Sequence, residues 1–126
     1  MTNILRGDNM DVNIIIIKCT KTKNAFGARI QKMKDGDWWR TWAFMIKPKQ
    51  AKNEGYDNTQ VQGNLNATDE YPGCPHCGTN GFVQCGKCKR ISCWNGETSL
   101  VCPWCGNQMD SIVSATEKFD ITSGKF

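Results

Sequence analysis

Cysteine is the residue type in this 126-residue chain whose spacing most clearly implies chemistry. Three Cys-x-x-Cys pairs crowd into the stretch from 74 to 106: Cys74/Cys77, Cys85/Cys88 and Cys102/Cys105, with Cys93 between the last two. Two intervening residues let one tight turn set both sulfurs at about 2.3 Å from a single zinc ion. The first and last pairs share one form, Cys-Pro-His-Cys-Gly and Cys-Pro-Trp-Cys-Gly. Proline presets φ in such a turn, and the following glycine lets the backbone double back with its amides toward the thiolates. These two matching knuckles are expected to share one tetrahedral ion, as in a zinc ribbon.

Cys85, Cys88 and Cys93 then form a second set that lacks one ligand. His76, inside the first knuckle, and Cys19, far upstream, are both candidates to complete it, against the plain readings of a surface imidazole and a buried core thiol. Two zinc ions are favoured over one. A disulfide catalyst would carry a single motif at a helix start beside a βαβ unit, whereas here three motifs sit among strands and turns. Catalytic zinc keeps an open position and usually takes His or carboxylate ligands, and the chain has one histidine. No nucleophile, base and oxyanion set can be assembled, so an enzyme is not expected.

Composition agrees with a small folded metal protein. Apolar content of 39% and charged content of 22% permit a packed core. The longest apolar run, Ile14 to Ile17, is far short of the roughly 20 residues of a membrane helix, and too short for an export signal. A cytoplasmic location is therefore expected, where cysteines serve as metal ligands rather than disulfides. The formal charge of +4 hints at polyanions, but ligation removes most of it. Two zinc ions against seven thiolates would leave about +1.

The elements that must position these ligands are mostly strands. The β-branched run from Val12 to Cys19 predicts a buried strand, and Phe26 to Lys34 predicts a second. Asp35-Gly36 marks a hairpin into a third strand, Trp38 to Ile46, ended by Pro48. Alternation along it places Trp38 and Trp42 on one face and Trp39 on the other. Residues 49–70 read as a polar connector with a helical turn at 50–54 and a short strand near Val61. The expected organisation is a flexible N-terminus over 1–11, an antiparallel β lobe with connector over 12–70, a zinc ribbon over 71–106 and a C-terminal segment over 107–126. In that last segment Met109, Ile112, Val113 and Phe119 are near helical spacing, which suggests a short docking helix. The fold class is small and mainly β, an antiparallel meander followed by a Cys-rich zinc ribbon with rubredoxin-like knuckles. Trp94 and Trp104 are expected to pack over the metal centres.

The order Tyr-Pro-Gly-Cys-Pro-His-Cys-Gly, then Gly-Phe-Val-x-Cys, Cys88-x4-Cys93 and Cys-Pro-Trp-Cys-Gly resembles the C-terminal metal-binding domain of TerY-type tellurium-resistance proteins. Upstream, Cys19-Thr20-x-Thr22, Ala28-Arg29-Ile30 and the Trp-bearing strand are similar to the β segment that precedes the knuckles there. The likeness covers roughly residues 12–106. It departs at Cys85-Gly-Lys-Cys88, where the family has a closer Cys-x-Cys, and the von Willebrand A domain that the family places upstream is not within these 126 residues. The resemblance implies a regulatory metal-binding module that accompanies von Willebrand A, kinase or phosphatase proteins in stress signalling.

Two functions from different classes follow. One is a structural-zinc module that binds a protein partner. The alternative is a nucleic-acid-binding zinc ribbon, using Lys18, Lys21, Lys23, Arg29, Lys32 and Lys34 for phosphate contact and exposed Trp for stacking. Metallated neutrality favours the first.

Overall fold

The structure, a computed structural model, describes residues 11–56, 59–110 and 119–124. The expected flexible N-terminus lies, apart from Asp11, outside the described residues, as do Ile112 and Val113 of the expected docking helix.

The meander forms as its alternation dictates. Strands β1 (Val12–Lys18), β2 (Ala25–Lys32) and β3 (Trp38–Phe44) pair antiparallel in sequence order. The Asp35-Gly36 turn closes the second hairpin, with Gly36 at φ 85° and the Asp37 amide donating to Asp35 Oδ1 at 2.8 Å. Pro48, expected as a strand terminator, also occupies the first turn of helix α1 (Pro48–Glu54), where its missing N–H costs nothing. Gly55 ends the helix in the left-handed conformation.

The polar connector is more structured than its composition suggests. It supplies β4 (Gln60–Gly63) and β5 (Leu65–Ala67), and β5 runs parallel beside β3. Beyond it come β6 (Gly81–Gln84), β7 (Ile91–Trp94), the two-residue strands β8 (Leu100–Val101) and β9 (Gln108–Met109), and β10 (Phe119–Thr122). Six strands form one sheet in the order β5-β3-β2-β1-β7-β6, and β8 with β9 and β4 with β10 form small pairs. Strands from both sides of the expected 70/71 boundary thus share one sheet. The join is narrow: β1 and β7 are parallel, in register only at Lys18 and Ser92. Along the rest of that edge the C-terminal segment substitutes for a neighbour. Ile16 N donates to Ser123 Oγ at 2.8 Å, and Gly124 N donates to Ile16 O at 2.9 Å. The helical reading is corrected at its two described residues, since Met109 lies in β9 and Phe119 in β10. Spacing alone could not separate helical positions from residues of two short strands.

Two cores result, each built around a cysteine set. Ile15, Ile17, Phe26, Ala28, Ile30, Trp38, Leu65, Tyr71, Ile91 and Ile121 pack with Cys19, Cys74 and Cys93. A smaller cluster joins Cys85, Cys102 and Met109, with Val83, Leu100 and Trp104 against it.

The tryptophan faces also differ from the simple alternation. Between β2 and β3 the register slips, so that Arg29 faces Trp42 while Ile30 faces Arg40, and Thr41 is the extra residue of a bulge. One inserted residue reverses the phase of everything after it. Trp38, Arg40 and Ala43 therefore point into the core, and Trp42 moves to the side of Trp39. Cross-strand rows Val12–Gln31–Trp39, Ile14–Arg29–Trp42 and Ile16–Gly27–Phe44 make up this outer face. Trp38 is 5% exposed and Trp42 is 53% exposed. Replacing Trp38 by Ala should destabilise the metal-loaded protein by about 3–5 kcal/mol, and replacing Trp42 by less than about 0.5 kcal/mol. Urea midpoints at unchanged slope measure the difference; equal losses would contradict the bulge.

Candidate metal centres

Each cysteine pair sits on a turn of one design. In the turn that begins at Cys74, the cysteine amide donates to Thr79 O at 2.9 Å, and its carbonyl accepts from Gly78 N at 2.7 Å. Cys85 repeats these bonds with Arg90 O and Lys89 N, and Cys102 with Asn107 O and Gly106 N. The residue four after the first cysteine takes positive φ each time: 84° at Gly78, 66° at Lys89 and 80° at Gly106. An amide two residues after the cysteine donates to its sulfur at 3.4 Å, from His76, Lys87 and Trp104 respectively. Such N–H···S bonds stabilise a thiolate and orient it.

Cys19 opens a fourth turn of the same kind. Its amide donates to Asn24 O and its carbonyl accepts from Lys23 N, both at 2.8 Å, and Lys23 has φ 63°. Thr22 N donates to Cys19 Sγ at 3.4 Å. Thr22 thus stands where the other knuckles carry their second cysteine. Cys93, from β7, supplies the missing thiol. Thr20 fixes it through an amide bond to Cys93 Sγ at 3.2 Å and a hydroxyl bond to Cys93 O at 3.1 Å.

The eight sulfurs fall into two sets of four, Cys19/Cys74/Cys77/Cys93 and Cys85/Cys88/Cys102/Cys105, each with all sulfurs within 4.8 Å of one another. Sulfur separations are 3.5 Å for Cys77–Cys93 and 3.7 Å for both Cys85–Cys105 and Cys88–Cys102. A disulfide would need about 2.05 Å, while four thiolates around one zinc stand about 3.8 Å apart. The donor set and its spacing fit an ion of zinc's size and softness in each cluster.

This grouping corrects the expected one. The first and last knuckles do not meet, and Cys93 does not join Cys85 and Cys88. The β6–β7 hairpin explains both. Cys85 and Cys88 lie at its tip, whereas Cys93 lies opposite Phe82 near its base, beside Cys74 and Cys77. Four strand residues span roughly 13 Å, too far for one ion to bridge. The same geometry decides between Cys19 and His76. Cys19 is a cluster member, while His76 Nε2 lies 3.0 Å from Ala25 O with its ring edge-on to Phe26, fastening the knuckle to β2. The sequence signal for Cys19 was available in Cys19-x-x-Thr22-Lys23-Asn24, which matches Cys85-x-x-Cys88-Lys89-Arg90 with one thiol changed to a hydroxyl.

Electrostatics show why a cation belongs in each cluster. Burial pushes the Cys93 and Cys102 thiols up to about 12 and Cys74 up to about 11. Burial also opposes ionisation of Cys19, yet bonds from the Thr22 side chain and the Thr22 and Lys21 amides outweigh it and bring that thiol down to about 6. Similar amide bonds bring Cys85 to about 7. Cys19 and Cys85 are each ready as a thiolate, and a divalent ion would offset the burial that holds Cys74, Cys93 and Cys102 back from ionising.

Two cations serve these clusters from outside. Arg40 is buried, with Nε donating to Asn66 O at 3.2 Å and Nη1 to Asn80 O at 2.9 Å, and its guanidinium carbon 4.8 Å from the ring centres of both Tyr71 and Phe82. Tyr71 and Phe82 both pack into the core that holds the first cluster. Lys18 Nζ lies 4.5 Å over the Trp104 ring and 3.4 Å from Pro103 O. Trp104 packs on the second cluster and also docks it, since its Nε1 donates to Ile91 O at 2.9 Å. Trp94 instead spends its Nε1–H on Glu97 O at 2.7 Å.

The family model of the TerY-C metal binding domain matches residues 9–126. The chain belongs to that family. Nearly the whole chain is thus one TerY-C domain, extending the likeness seen over residues 12–106 at both ends. No curated protein and no solved structure shows a significant match. A TerY-C domain is a small metal-binding module, and the two four-cysteine clusters, each able to hold a zinc ion, are the chemistry this one presents. Among the described residues no helix is long and apolar enough to cross a membrane.

The half-knuckle at Cys19 is directly testable. Cys93→Ala should reduce bound zinc from two ions to one, and adding Thr22→Cys should restore the second, as read by native mass spectrometry. A double variant that still holds one ion would show that Thr22 does not occupy a ligand position.

Proposed function

We propose that this TerY-C domain is a zinc-stabilised protein-interaction module, in which all eight cysteines hold two ions and the ions brace a β surface for a protein partner. The division of the cysteines into two complete sets of four, with no cysteine left over, is the observation that carries this reading. Closed four-thiolate sites leave no position for substrate, so their role is to hold structure. Two zinc ions against eight thiolates bring the formal +4 to about zero, which removes the general attraction to polyanions. The outer meander face, with Trp42 exposed and Trp39 and Phe44 half-buried, supplies the aromatic anchors that dominate protein interfaces. Family membership supports a partner within TerY-type stress-response systems, with a von Willebrand A, kinase or phosphatase protein as the finer expectation. A cytoplasmic location accords with eight free thiols.

Affinity capture from source cells, compared across wild type, Trp42→Ala and chelator-treated protein, tests this reading. A specific protein should be retained by wild type, lost on chelation, and weakened at least about tenfold by Trp42→Ala at unchanged zinc content. Tight nucleic-acid binding with a steep salt dependence would contradict it and favour the ribbon that contacts phosphates.

A further inference from the structure

The two clusters differ in surroundings although their ligands are identical. Cys19, Cys74 and Cys93 are buried in the main core among Ile17, Phe26, Tyr71 and Ile91. The other cluster lies at the periphery. Cys105 is exposed, Cys88 is half-buried, and the strands that frame its last knuckle have two residues each. A ligand-exchange reaction at a four-thiolate site begins when an incoming chelator or cation reaches one ligand. The most accessible inner ligand, Cys77, is half-buried, whereas the peripheral site has Cys105 exposed as well as Cys88 half-buried.

We propose that the Cys85/Cys88/Cys102/Cys105 site is an exchange site, which yields zinc to chelators and accepts soft divalent cations such as cadmium by way of Cys105, and that its occupancy controls the C-terminal strand. The inference rests on the reading that both clusters hold zinc. In the exchange one divalent ion replaces another: cadmium bonds to the Cys105 sulfur as the zinc bond there breaks, the other three sulfurs follow, and no electrons are transferred.

The route to the C-terminal strand runs through Trp104, which lies between two ligands of the outer site. Its ring closes so tightly on Gly124 that a Cβ there would overlap it. Gly124 and Ser123 in turn satisfy the backbone of Ile16, which has no exposed surface. With the ion in place, the knuckle holds Trp104 against Gly124, and Gly124 holds the open edge of β1. Without it, the knuckle loses its cross-link, the ring loses its position and the edge of β1 loses its cover. The site thereby couples metal supply to the exposure of an unpaired strand edge, a surface that readily accepts another strand.

The experiment starts from the full zinc-loaded chain, with two ions first established by native mass spectrometry. Fewer than two ions at that point would refute the two-zinc reading on its own. Limiting EDTA with N-ethylmaleimide, followed by peptide mapping, should alkylate Cys85, Cys88, Cys102 and Cys105 at least tenfold faster than the other four. One equivalent of cadmium should give mainly a species with one zinc and one cadmium. Amide exchange followed by NMR should show Ile16 and Gly124 losing protection as the outer site empties, while Ile30 stays protected. Trp104→Phe should raise Ile16 exchange in the protein that still carries two zinc ions. Simultaneous alkylation of all eight cysteines, or an inner site that empties first, would overturn the exchange assignment. An equal mixture of all-zinc and all-cadmium protein would do the same. Continued protection of Ile16 in an emptied outer site would overturn the coupling.

Discussion

Four sulfurs held within 4.8 Å of one another cannot all carry charge unless a cation sits among them. That constraint organises the molecule. The knuckle bonds stabilise one thiolate in each cluster, at Cys19 and Cys85, while burial holds the Cys93 and Cys102 thiols protonated until metal arrives. Binding therefore exchanges protons for an ion, and the ion then serves as a cross-link. A structural zinc site is worth on the order of 10 kcal/mol in small domains, comparable with the whole stability of an ordinary domain. The placement of these cross-links matters more than their number.

The inner cluster draws ligands from the end of β1, from the knuckle before β6 and from β7. It spans the place where the six-stranded sheet has its thinnest join, the single register point between Lys18 and Ser92. The metal there replaces a ladder of backbone bonds that the short β7 cannot make. Arg40, on β3, reinforces the same junction from the other side. It bonds to the carbonyls of Asn66 and Asn80, and so ties the edge strand and the knuckle loop to the meander. Burial lowers the pKa of this guanidinium, but the reference value is high enough that it remains charged. A permanent cation between Tyr71 and Phe82 suits a core that also encloses a doubly negative metal–thiolate centre.

Much of this was legible in the residues, and the failures have specific causes. The β-branched run, the Asp35-Gly36 turn and the Trp alternation are local signals, and the meander followed them. The knuckles were equally plain, since the Cys-x-x-Cys turn is determined within six residues. Their grouping was not, because likeness of sequence between the first and last knuckles says nothing about distance across a hairpin. Alternation alone puts Trp42 on the wrong face, because the bulge at Thr41 comes from pairing with β2, which no single strand encodes. Spacing alone does not decide for Cys19, because its knuckle has Thr22 in place of the second thiol. Met109 and Phe119 stand near helical spacing yet belong to strands completed by distant partners, which can imitate a helical period.

The central claim is that two ions are each held by four sulfurs, with the histidine outside both sets. Zinc K-edge X-ray absorption on protein carrying two equivalents of zinc tests it most directly. The account predicts a single first shell of four sulfurs at about 2.3 Å and no nitrogen. A mixed shell with a nitrogen neighbour near 2.0–2.1 Å would place His76 on a metal and contradict the arrangement of both clusters.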